Sequence, residues 1–81
     1  MKNIEIITEE YERAEVGKRF KMENKCSEVT TWDEWKRLTS EDTMRFFKGL
    51  GGSETLQGNR LVSIDPTGTL KTVRTYKIVS A

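Results

Sequence analysis

Histidine is absent from the 81 residues, and that absence excludes more chemistry than any residue present supports. Imidazole is the commonest general base, the usual activator of a nucleophile and the commonest zinc ligand. A single cysteine, Cys26, excludes an internal disulfide framework and a zinc cluster built within this chain, and it suits a reducing compartment. There is no apolar run long enough for a membrane span and no basic-then-apolar leader, so the expectation is a cytoplasmic protein that uses no membrane. No Gly-x-x-x-x-Gly-Lys phosphate loop occurs either. Gly49-Leu50-Gly51-Gly52 follows a helical stretch, where an anion-binding glycine loop precedes one. No cofactor and no metal are expected. An excess of one charge is also missing: a third of the residues are charged, yet the net charge is +1, which weakens the electrostatic case for nonspecific nucleic-acid binding.

What is present concentrates in residues 30–52, which hold both tryptophans and two of the three phenylalanines. Thr31 with Glu34 fits the capping-box spacing, with Thr30 and Asp33 as the competing register. Asp33 and Glu34 then face the positive end of a helix dipole, and Lys36 and Arg37 lie nearer the negative end. Trp32, Trp35 and Leu38 recur at intervals of three along one side. The pattern restarts at Ser40, a second cap ahead of Met44, Phe46, Phe47 and Leu50. One straight helix would put Met44 and Phe47 away from the side carrying Trp35 and Leu38, so a break is expected near Thr39–Ser40. Glycines at 49, 51 and 52 supply the stop. The expectation is two short helices, or one bent helix, ending at Leu50.

Around this segment the sequence predicts strands. Residues 1–8 alternate through Ile4 and Ile6, and residues 16–22 through Val16, Phe20 and Met22, with residues 8–14 an acidic turn, loop or short helix between them. Residues 53–59 are polar and read as a loop. Residues 60–80 read as a β-hairpin about Asp65-Pro66-Thr67-Gly68, where proline presets a type I turn and glycine accepts a positive φ. A three-residue loop with a glycine bulge would pair Asp65 with Thr69, setting Ile64 opposite Leu70 and Arg60 opposite Arg74. The fold class expected is α+β: one domain over residues 1–81, with an antiparallel or mixed sheet of about four strands packed on the helical segment in the order β-β-α-α-β-β. A chain this short buries only roughly 60–65% of its unfolded surface, so Trp32, Trp35, Phe46, Phe47 and Phe20 are all assigned to the core.

The candidate site residues are ionic. Arg60, Arg74 and Tyr76 on one strand face would hold a phosphate or a carboxylate, since guanidinium reads planar oxyanions in bidentate fashion. The structural alternative is an internal salt bridge from these arginines to Glu41, Asp42 or the acidic N-terminal segment. Lys71 and Lys77 extend the basic set. Glu9, Glu10, Glu12 and Glu15 make the opposite end acidic and could imitate nucleic-acid phosphates. The carboxylate pairs Asp33–Glu34 and Glu41–Asp42 are accounted for by helix capping, so no catalytic residue is assigned.

In general composition, though in no motif, the chain resembles the small accessory or inhibitor proteins of phages and other mobile elements. That likeness implies a noncatalytic protein-binding module with a larger protein as partner, acting as an inhibitor of a nuclease or defence complex. A nucleic-acid-binding module using the basic face of the C-terminal hairpin is the alternative, with Arg60, Lys71, Arg74 and Lys77 reaching phosphates and a steep salt dependence as its signature. A homo-oligomeric structural subunit with open sheet edges is the third reading.

Overall fold

Antiparallel strand pairing organises the computed structural model, which describes residues 3–80. The order is β1 (Asn3–Glu12), β2 (Lys21–Thr31), α1 (Trp32–Leu38), α2 (Glu41–Gly49), β3 (Ser53–Gln57), β4 (Arg60–Ile64) and β5 (Leu70–Ser80). The strands form one five-stranded antiparallel sheet in the order β2-β1-β5-β4-β3. The expected α+β class holds, with five strands in place of four. Residues 53–59, read as a loop, contain β3, and β1 runs on through the acidic stretch to Glu12. The second strand begins at Lys21 rather than Val16, so residues 13–20 form the turn of the first hairpin. Met1 and Lys2, part of the first expected strand, lie outside the described residues.

The helical segment leaves one edge of the sheet directly from β2 and returns at the opposite edge as β3, so it must cross one sheet face. Its break falls where the second capping signal does. Ser40 Oγ accepts from the Thr43 backbone N–H at 3.2 Å, while Thr31 occupies the first cap position without a side-chain bond. Glu34 is drawn instead to Arg37, three residues on, with which it forms an ion pair. Of the three stop glycines, Gly51 takes the left-handed conformation at φ +95°. Gly52 serves packing: an added Cβ there would collide with the Phe47 ring.

The core lies between the helices and the sheet. Ile4, Ile6, Trp35 and Leu61 are each at most 3% exposed, with Trp32, Leu38, Met44 and Tyr76 packed around them. Tyr76 sits edge-on to Trp32 at 5.0 Å between ring centroids and tilted against Trp35 at 4.8 Å. Phe46, expected in the core, is 71% exposed. At 100° per residue it lies far from Met44 and Phe47, which face inward from α2.

Candidate functional site

Strand register decides which candidate residues share a surface. In β4 and β5, Arg60 pairs with Thr75, Leu61 with Arg74, Val62 with Val73 and Ile64 with Lys71. The loop thus holds four residues, 66–69, not three. The Asp65 carboxylate accounts for the extra residue, because its Oδ1 accepts from the backbone N–H of both Thr69 (3.1 Å) and Leu70 (3.0 Å). Asp65 N–H donates to Leu70 O at 3.0 Å, and Gly68 N–H to Asp65 O at 2.9 Å. These bonds hold the Asp65 carboxyl below its ordinary range, the Thr67 hydroxyl contributing most.

A one-residue slip turns every side chain of a strand to the other face. The expected opposition of Arg60 and Arg74 is therefore overturned. Arg74 shares the helix-covered face with Leu61, Thr8 and Tyr76, whereas Arg60 lies on the helix-free face beside Thr75. Tyr76 is occupied by the two indoles. The internal salt bridge to Glu41 or Asp42 does not form, since both carboxylates pair with Arg45 on their own helix.

On the helix-free face, alternation collects Arg60, Lys71 and Lys77 with Lys25 from β2, against Glu5 and Glu9. Several of these are engaged. Lys77 Nζ lies 3.1 Å from Glu5 Oε1, and this contact lowers the Glu5 pKa. Lys71 Nζ stands 4.8 Å from the Tyr11 ring centroid and 4.7 Å from that of Phe20, and Arg13 covers Phe20 at 4.2 Å. Burial pushes the Tyr11 hydroxyl pKa up, and the neighbouring Glu9 adds to the effect.

The acidic candidates do not gather into one patch. Glu9 and Glu10 are consecutive strand residues on opposite faces. Glu9 is opposite Lys25, Glu12 is opposite Lys21, and Glu15 lies in the turn after β1. The lysines opposite Glu9 and Glu12 offset part of the negative charge a basic partner would meet, while Glu10 faces Asn24.

Three surface features escaped the sequence reading. At the tip of the first hairpin, Arg13, Lys18, Arg19 and Lys21, together with Glu12 and Glu23, line a hollow of about 460 Å³. Lys18, Arg19 and Lys21 fall within the strand expected over residues 16–22, and only the true turn over residues 13–20 brings them together with Arg13. On α2, Phe46 and Leu50 stand one turn apart in water, 71% and 58% exposed. Between α2 and the start of β3 lies an open groove of about 800 Å³, lined by Thr39, Glu41, Met44, Arg45, Lys48, Gly52, Ser53 and Glu54. Positions 41, 44, 45 and 48 are one helical stripe, a signal that was present in the sequence but had no partner strand to give it meaning.

Among the described residues no group of three or more Cys, Asp or Glu is placed to hold a metal ion, and no helix is long and apolar enough to cross a membrane. Comparison with known protein families, curated proteins and solved structures finds no match to the chain.

Proposed function

We propose that this chain is a small noncatalytic protein-binding module that acts by occupying a surface of a larger protein, in the manner of an inhibitor of a nuclease or defence complex. The observation that carries the reading is the Phe46–Leu50 ridge. A chain with 35% hydrophobic residues and a core built on a few side chains spends a phenylalanine and a leucine, side by side, on the solvent side of a helix. Adjacent exposed apolar groups on a rigid element are what a partner's pocket takes up. The dispersal of the glutamates makes apolar contact, rather than phosphate mimicry, the main contribution.

The test compares wild type with the Phe46→Ser/Leu50→Ser double variant as baits in cell lysate, followed by binding of each to the purified partner. Both side chains are exposed, so the melting curve is expected to change little. A partner held by wild type and released by the variant supports the reading. Equal retention, or nothing above background with either bait, overturns it.

The nucleic-acid reading has one observation in its favour, the gathering of Arg60, Lys71, Lys77 and Lys25 on the helix-free face. Its signature is salt-sensitive binding of a single-stranded oligonucleotide that Arg60→Ala weakens and Arg74→Ala, on the other face, leaves unchanged.

A further inference from the structure

The α2–β3 groove contains an unsatisfied buried acceptor. Glu54 points to the helix side of the sheet, where its Oε2 accepts from the buried Ser63 hydroxyl at 2.7 Å. Its Oε1 is buried and has no hydrogen-bond partner. Such an oxygen retains a desolvation cost until a donor reaches it, and a charged donor offsets that cost best. Neither cation on the helix stripe serves: Arg45 is turned to Glu41 and Asp42 on its own helix, and Lys48 forms no bond to Oε1.

Beside Glu54 the sheet ends. Among the described residues β3 pairs with β4 alone, so its other edge is open. Hydrogen-bond parity shows which backbone groups that edge presents. The bonds Asp65 N–H to Leu70 O and Tyr76 N–H to Asn59 O mark 65:70 and 59:76 as hydrogen-bonded pairs between β4 and β5. By alternation Leu61 and Ser63 bond toward β5, and Arg60, Val62 and Ile64 toward β3. Their partners Gln57, Thr55 and Ser53 are thereby satisfied. The N–H and C=O of Glu54 and Leu56 are left pointing outward.

We propose that this edge and groove bind an extended peptide segment of a partner protein, added as a sixth strand beside β3, with an arginine or lysine opposite Glu54. The incoming residue opposite Glu54 pairs with the outward backbone groups of that residue and shares its face, so its side chain enters the groove, where the partly exposed Glu54 carboxylate turns to present Oε1 to it. Met44 supplies an apolar wall for the aliphatic stem, in keeping with how long basic side chains bury their methylenes. This surface lies on a different side of α2 from the Phe46–Leu50 ridge, and each is tested by its own variants.

The probe is the synthetic heptapeptide acetyl-Ser-Thr-Val-Arg-Val-Thr-Ser-amide, titrated into the 15N-labelled full chain and followed by amide chemical shifts. Saturable shifts are expected at Glu54 and Leu56 and along the 41/44/45/48 stripe. Glu54→Gln keeps the side-chain shape and the Ser63 bond, and it is expected to weaken binding by about tenfold or more. Replacing the peptide arginine by norleucine does the same to wild type, which keeps the test decisive if the Gln variant folds poorly. Leu56→Pro removes one outward donor at an edge position that tolerates proline and is also expected to abolish the shifts. The proposal is overturned if the peptide moves no β3 amide at millimolar concentration, or if the norleucine peptide binds as tightly as the arginine peptide.

Discussion

Thr31 and Ser40 offer the same hydroxyl at the same kind of helix entrance, and only one of them caps. Ser40 Oγ accepts from Thr43 N–H and donates to Thr43 Oγ1 at 2.8 Å, whereas Thr31 makes no such bond. Ser40→Ala is therefore expected to cost about 1 kcal/mol and Thr31→Ala a few tenths at most, measured by urea denaturation. Asp65 is the second residue whose local bonds have a measurable consequence. Its folded pKa is depressed, so its contribution to stability is complete above the unfolded aspartate value of about 4 and is lost as pH falls from there through the lower folded value. Asp65→Asn should flatten that part of the stability profile, and thermal melts at successive pH values would show no change in slope if Asp65 were uninvolved. At this scale the sequence was legible where chemistry is local: the Ser40 cap, the Gly51 stop and the turn about Pro66 all follow from neighbours within a few residues. Phe46 was not, because its aromatic character says core, while its angular position on α2 says water, and only the placement of the helix decides.

Elements were legible in proportion to their apolar content. The broken helix was readable because its buried stripes change side at Thr39–Ser40. β3 was missed since Ser53-Glu54-Thr55-Leu56-Gln57 has no alternation to read, and β2 was misplaced for the same reason. Both are edge strands, held largely by backbone bonds to one neighbour, which every residue but proline can make. The β4–β5 register is open to a direct test. Parity makes Val62 and Val73 a non-hydrogen-bonded pair, the kind in which Cβ atoms approach most closely. In a Cys26→Ser background, Val62→Cys/Val73→Cys is expected to form a disulfide on mild oxidation. Val62→Cys/Thr72→Cys, whose side chains lie on opposite faces, should stay reduced by thiol titration. The reverse result would restore the three-residue loop and, with it, the opposed arginines.

The whole molecule measures 42 × 26 × 16 Å, a thin plate with one helical layer on one side. Its core is correspondingly concentrated, and Trp35, 3% exposed and central to it, carries much of the stability. A domain of this length is stable by roughly 4–12 kcal/mol, taking about 0.05–0.15 kcal/mol per residue. Truncating a buried tryptophan costs about 3–5 kcal/mol. Trp35→Ala is thus expected to unfold the chain or lower its melting temperature steeply, with loss of near-ultraviolet dichroism, while Trp32→Ala at a half-buried position costs less. The two open edges make self-association the other whole-molecule question, and light scattering across a concentration series answers it. By itself the sequence determined the α+β class, the position of the helix break, its stop, and the existence of the C-terminal turn, because caps, glycines and turn residues act over a few neighbours. Only the tertiary structure decided the register, and with it which charges share a face, which strands stand at the edge and where Glu54 is buried. The reason is physical: a strand's side chains alternate with period two, so one residue drawn into a turn by a single carboxylate reverses the surface on which every later side chain appears.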